Sequence, residues 1–249
     1  RLRINTKWHN KGREVTVDEK ANTMAFIAWK IAAGFVLDME NEEFQTDTQS
    51  MRLDIIKEAL AFMVSLTDRM VASQLSQEER QELITKMALK TAKTLQENGE
   101  DLLGRGQDYQ QDYINLLNER MNAYAHCNWD EDRDEPGFQY KRDFGDNVAR
   151  VMGAKDNKWI ATHVIEIEVP EIVENLKKGK KQMVDGRDMS DEGERALRKV
   201  IGATNNAPQI PSATEPEAGL AGFFYGRSKC AEIPWGIHRI FNEKVENGH

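Results

Sequence analysis

The chain has 249 residues and a formal net charge of −8, with 39% hydrophobic and 31% charged residues. That length suits one large domain with an appendage, since folding at this size removes roughly 70 to 75% of the unfolded surface, and the apolar content excludes wholesale disorder. The acidic surplus speaks against a nucleic-acid partner, because neutralising phosphates needs an excess of Lys and Arg.

Residues 1 to 135 contain no proline; all six prolines (Pro136, Pro170, Pro208, Pro211, Pro216 and Pro234) come later. Proline removes a helix hydrogen bond and clashes with the preceding turn, so its absence permits long unbroken helices. The basic residues Arg1, Arg3, Lys7, Lys11 and Arg13 belong to an N-terminal arm, 1–16, read as solvated. No secretory leader is visible, and the start at Arg1 is compatible with one having been removed.

The first helix is expected from about Val17, where Thr16-Val17-Asp18-Glu19 has the form of a capping box. Val17, Ala21, Met24, Ala28, Ile31 and Phe35 recur at three- and four-residue steps, and Phe26, Ile27 and Trp29 widen the apolar arc. This helix is expected to be central. Its most apolar stretch, Met24 to Leu37, carries Lys30 and is too short to span a bilayer. Asp47 or Thr48 caps a second helix, with Met51, Ile55, Ala59, Phe62, Leu66 and Met70 opposite Asp54, Lys57, Glu58 and Asp68. Ser76-Gln77-Glu78-Glu79 opens a third, which Asn98-Gly99 is expected to end. Gly104-Arg105-Gly106 reads as a helix-to-helix turn, lacking the strand and lysine of a phosphate loop. A fourth helix begins at Asp108, with Gln111 in the capping-box position, and ends near His126. Short connections between four long helices imply antiparallel neighbours.

After the acidic stretch Asp130 to Pro136, a shorter helix is predicted over about 140–152, packing across the bundle. Residues 158–169 are ambiguous. Ile160, His163, Val164 and Ile167 suit a helix, whereas Ile165, Ile167 and Val169 alternating with Glu166 and Glu168 suit a strand; helix is favoured. Pro170 then lies in the first turn of a helix expected to end near Gly179, leaving Lys177, Lys178, Lys180 and Lys181 as a solvated terminus. Ser190 caps a short helix over 191–201. Residues 202–222, rich in Pro, Ala, Asn and Thr, read as an extended linker. The final segment, 223–249, concentrates Phe223, Phe224, Tyr225, Ile233, Trp235, Ile237, Ile240 and Phe241 in a stretch too small to fold alone.

The fold class these readings imply is all-α: an antiparallel bundle of four long helices, shorter bracing helices within a helical domain spanning 17–201, and an extended C-terminal arm. Catalytic signatures do not emerge. Of the five histidines only His249 follows a Glu, Glu246, at the spacing of di-iron bundles, and the second such pair they require is lacking. His163 and Glu166, one turn apart, would share a metal or a proton if buried. His126 and Cys127 adjoin Asp130, Asp132 and Asp134, but a second Cys/His pair for zinc is lacking. A calcium loop counted from Asp130 puts Glu135 and Lys141 where Gly and Glu belong. Cys127 reads as a small buried hydrophobe. Six methionines on the inward stripes (Met24, Met51, Met63, Met70, Met87 and Met121) read as core filler. Only Cys127 and Cys230 are present, without CxxC spacing, which fits a reducing cytoplasm.

The expected function is therefore that of a non-catalytic accessory or scaffold subunit with no cofactor and no metal. Its partner-binding residues would be Phe223, Phe224, Tyr225, Arg227, Trp235, Ile237 and Phe241, a content typical of interface hot spots. The partner would be another protein or a second copy, in a homo-oligomer or a larger assembly. The alternative is a small-molecule- or metal-binding helical-bundle enzyme, with a pocket lined by Met, Trp29 and tyrosines and polar contacts from His126, Cys127, His163 or Glu166.

Overall fold

Side-chain caps set where the long helices begin. Thr16 accepts from the Glu19 N–H while the Glu19 carboxylate returns to the Thr16 N–H, and Ser76 and Glu79 repeat this reciprocal box. Thr48, rather than Asp47, caps the second helix through Met51 N–H. Asp108 caps the fourth through Gln111 N–H, but the Gln111 amide turns to Asn115 instead of closing a box. The helices that follow are α1 (Val17–Asn41), α2 (Gln49–Val71), α3 (Gln77–Leu103) and α4 (Tyr109–Ala125). The computed structural model describes residues 15–153 and 157–183. The expected helix over 191–201, the linker 202–222 and the segment 223–249 lie outside the described residues, as does nearly all of the N-terminal arm.

The expected bundle is what forms, with two corrections to its interior. The most enclosed helix is α2, not α1: it packs against α1, α3, α4, α5 (Phe138–Met152) and α7 (Val169–Met183). Of the charged residues opposite the apolar stripe of α2, Asp54 and Lys57 pair with each other at 2.7 Å, while Glu58 and Asp68 meet arginines of other helices. Glu58, 3% exposed, takes both Nε and Nη2 of Arg120 at 2.8 and 2.7 Å, and Asp68 accepts from Arg80 Nε at 2.6 Å. The third helix also runs past Asn98-Gly99 and stops at Gly104, whose φ of 98° is the left-handed exit. Gly99 stays helical because the Tyr109 ring lies on it; a Cβ there would sit 2.6 Å from Tyr109 Cγ.

Phe62 centres the aromatic core. Its ring stacks on Phe144 at 4.1 Å and meets Tyr140 and Tyr124 edge-on. Tyr140 donates to Ser65, Tyr124 accepts from Asn147 at 3.4 Å, and Thr91 bonds to Tyr113 at 3.3 Å, so the buried phenols are satisfied. The acidic stretch after α4 forms a short antiparallel ladder, β1 (Trp129–Asp130) with β2 (Glu135–Pro136), which no alternation in the sequence signals. The Asp130 carboxylate accepts from Arg133 N–H at 3.1 Å to form the turn, a local bond that needs no hydrophobic alternation.

Residues 157–183 are helical throughout: α6 (Asn157–His163), a π turn (Val164–Glu168), then α7. Pro170 explains the wide turn. Its ring would strike the carbonyl four residues back in a regular helix, and the π turn, in which Val169 N–H donates to Val164 C=O, opens that turn. Helix α7 continues past Gly179 to Met183, because Ile27 of α1 fills the space where a Cβ would stand. The lysines there are not all solvated: Lys180 is 7% exposed, donating to Met70 C=O at 3.2 Å and to Asp134 at 2.8 Å, and Lys177 pairs with Glu135 at 3.2 Å. Among the described residues, no helix is long and apolar enough to cross a membrane.

Candidate functional site

The π turn resets which residues share a face. On a regular helix His163 and Glu166 are neighbours one turn apart. Here the opened turn faces Glu166 to solvent and brings Glu168 inward, five residues on, to His163 Nε2 at 2.9 Å. Glu168 is 5% exposed, and Phe44, just beyond α1, tilts its ring against the imidazole at 5.3 Å. Asp38 of α1 and Glu171 of α7 add negative charge to the same corner.

The electrostatics follow from burial. Removing water raises the Glu168 carboxyl to about 7; the hydrogen bond from His163 opposes the rise, and Asp38 adds to it. The Asp38 carboxyl is also held above its ordinary range, first by burial and then by Glu171, with His163 opposing. Glu168 thus bonds the imidazole, Asp38 senses the same ring, and Glu171 acts on both carboxyls, so the corner retains a proton close to neutrality. A group poised in this way can exchange a proton with a bound molecule. Among the described residues, no group of three or more His, Cys, Asp or Glu has the geometry to hold a metal ion.

The second candidate pair separates. His126 closes α4 as an exposed cap, whereas Cys127 is buried, with Sγ 3.4 Å from Asp143 Oδ2. Burial, and then the hydrogen bond and charge of Asp143, push the thiol up to about 11. A catalytic cysteine requires the opposite shift. Arg69 instead ties down this helix end, donating to Ala125 C=O at 2.7 Å.

The pocket-lining candidates pack against one another. Met24, Met63 and Met87 and the rings of Tyr113, Tyr124 and Tyr140 have no exposure, and Trp29 is 4% exposed. Phe223, Phe224, Tyr225, Arg227, Trp235, Ile237 and Phe241 lie outside the described residues. Sequence reading missed Glu168, Asp38 and Glu171; the only signal for them was Pro170 placed against a continuing apolar stripe, which marks an irregular turn upstream. No protein-family model, curated protein or solved structure matches the chain.

Proposed function

We propose that the protein is a non-catalytic accessory or scaffold subunit, which holds a protein partner or a second copy of itself through a helical surface and its C-terminal arm. One observation carries the reading: Trp159 of α6 and Ile167 of the π turn are 74% and 57% exposed on one corner, and among the other described large apolar side chains only Phe138 (69%) and Leu103 (40%) are exposed. Single exposed apolar residues are ordinary, but tryptophan is the residue most enriched among interface anchors. The aromatic arm supplies a second surface of the same kind. A reducing, cytoplasmic setting fits a chain with two cysteines, of which Cys127 is free and buried.

Native mass measurement of the complex purified from its source cells tests this reading, compared with a chain lacking 203–249. The expected result is an assembly larger than one chain that shrinks, or loses its partner, on deletion. Unchanged assembly size and partner recovery would end the docking-arm proposal.

The alternative, a small-molecule- or metal-binding bundle enzyme, has the proton-holding corner of His163, Glu168, Asp38 and Glu171 in its favour. Stoichiometric iron, manganese or zinc in protein purified without affinity resin would favour it over the scaffold reading.

A further inference from the structure

We infer that the aromatic segment 223–241 seats on the face carrying Trp159 and Ile167 of its own chain, so that a partner must displace it. This rests on the reading that both surfaces are docking surfaces, and it adds what covers the face before a partner arrives.

The π turn builds the face. Eight residues along an unbroken α-helix would set Trp159 and Ile167 about 80° apart around the axis. The slower winding of the π turn brings them within roughly 20°, about 12 Å apart along one line. Exposed Glu166 lies beside Ile167, and exposed Glu171 follows in the first turn of α7. The result is an apolar line whose Ile167 end has an acidic border, while Lys155 and Lys158 precede Trp159 in sequence. The segment 223–241 is its complement: Phe223, Phe224, Tyr225, Trp235, Ile237 and Phe241 are interspersed with Arg227, Lys229 and Arg239 against a single acid, Glu232, in a chain whose net charge is −8. Basic and aromatic residues in that mixture match an acid-bordered apolar strip better than they match the rest of an acidic surface.

Reach and concentration favour the same chain as the occupant. The described chain ends at Met183, roughly 25 Å along α7 from Ile167. A connection of the length of 184–222, with the helix expected over 191–201 included, has a root-mean-square span of roughly 30–35 Å, enough for the return. Tethering at that length gives an effective concentration on the order of 1 mM, so a tail affinity of only about 0.1 mM covers the face about nine-tenths of the time. A partner then binds with its affinity reduced about tenfold, by the fraction of face left free.

Fluorine NMR on the full chain labelled with 5-fluorotryptophan tests this, using a soluble gadolinium chelate as the probe. The five tryptophans are Trp8, Trp29, Trp129, Trp159 and Trp235, and the Trp159 line is assigned with Trp159→Phe. Broadening of that line should be about tenfold weaker in the native chain than in a variant with Phe223, Phe224, Ile237 and Phe241 all changed to Ala, at every protein concentration. The buried Trp29 line, unmoved in the variant, reports an intact body. Equal broadening in both chains overturns the inference, and so does protection that persists in the variant. Protection that grows with concentration alongside a doubled mass also overturns it, because a second copy is then the occupant. A monomeric native mass with Trp159 still covered would remove the accessory-subunit reading and leave this inference standing.

Discussion

The centre of the helical body and its α6–α7 corner satisfy their buried groups by different means. Around α2, the Phe62 ring is held by Phe144, Tyr140 and Tyr124, and the one deeply buried acid, Glu58, meets Arg120 through two hydrogen bonds. At the α6–α7 corner the buried acid, Glu168, has one histidine and two further carboxylates for company, and two large apolar side chains face water a few residues away. Packing and charge pairing account for the residue choices around α2. They do not account for the exposed Trp159 or the under-neutralised Glu168, nor for Phe138, 69% exposed at the start of α5.

The largest effect should come from breaking the well-packed centre. Phe62→Ala removes the ring that α2, α4 and α5 share, and should lower unfolding free energy by about 3–5 kcal/mol in urea titrations. A loss under about 1 kcal/mol would mean that the cluster re-collapses and that the contrast between centre and corner is overstated.

The second test sharpens the comparison at the corner. Glu168 is raised from its ordinary value to about 7 in the folded chain. A carboxyl raised in this way binds more protons folded than unfolded, so its contribution is complete below about pH 4.5 and is lost as pH climbs through about 7. Glu168→Gln cannot ionise. Its stability relative to the native chain should therefore rise between about pH 4.5 and 7, by on the order of 2 kcal/mol once solvent screening at this corner is allowed for. Thermal or urea unfolding at stepped pH measures this; parallel curves for the two chains would show that the buried acid does not retain its proton.

Local signals were legible in the sequence and non-local ones were not. Thr16, Thr48, Ser76 and Asp108 mark helix starts because a cap acts within three residues; Thr16 and Ser76 close the boxes their patterns imply, whereas Asp108 caps without one and Thr48 takes the place that Asp47 could also have filled. Gly99 misled because glycine serves equally as a helix exit and as a seat for a ring, and only the placement of Tyr109 decides between them. Nothing in the spacing of α2 shows that Glu58 and Asp68 meet Arg120 and Arg80 of other helices. At the corner, the apolar spacing predicts the helix that 158–169 forms, but it selects the wrong glutamate for His163. Regular spacing selects Glu166, whereas a π turn selects Glu168.

A smaller effect tests the frame at one of those legible points. Thr48→Ala leaves the Met51 N–H without its hydroxyl acceptor at the start of α2 and should cost about 1 kcal/mol by urea titration. Thr48→Asn should restore most of it. A neutral Thr48→Ala would mean that water caps this end as well as the side chain does.

The smallest effect on stability is the most informative about function, because one residue type occupies both environments. Trp29 is 4% exposed on α1 and Trp159 is 74% exposed on α6. Trp29→Ala should cost about 3–5 kcal/mol, as truncation of a buried ring does, while Trp159→Gln should stay within about 0.5 kcal/mol, as surface changes do. If the scaffold reading is right, the same Trp159→Gln chain, folded and stable, should lose partner or assembly mass in the native-mass measurement. A Trp159→Gln chain destabilised by more than about 1 kcal/mol would place this ring among the packing residues after all. One that is stable and fully assembled would remove the α6 face from the docking surface. Stability without assembly is the combination that only an interaction surface produces, since a packing defect lowers both together and a bystander lowers neither.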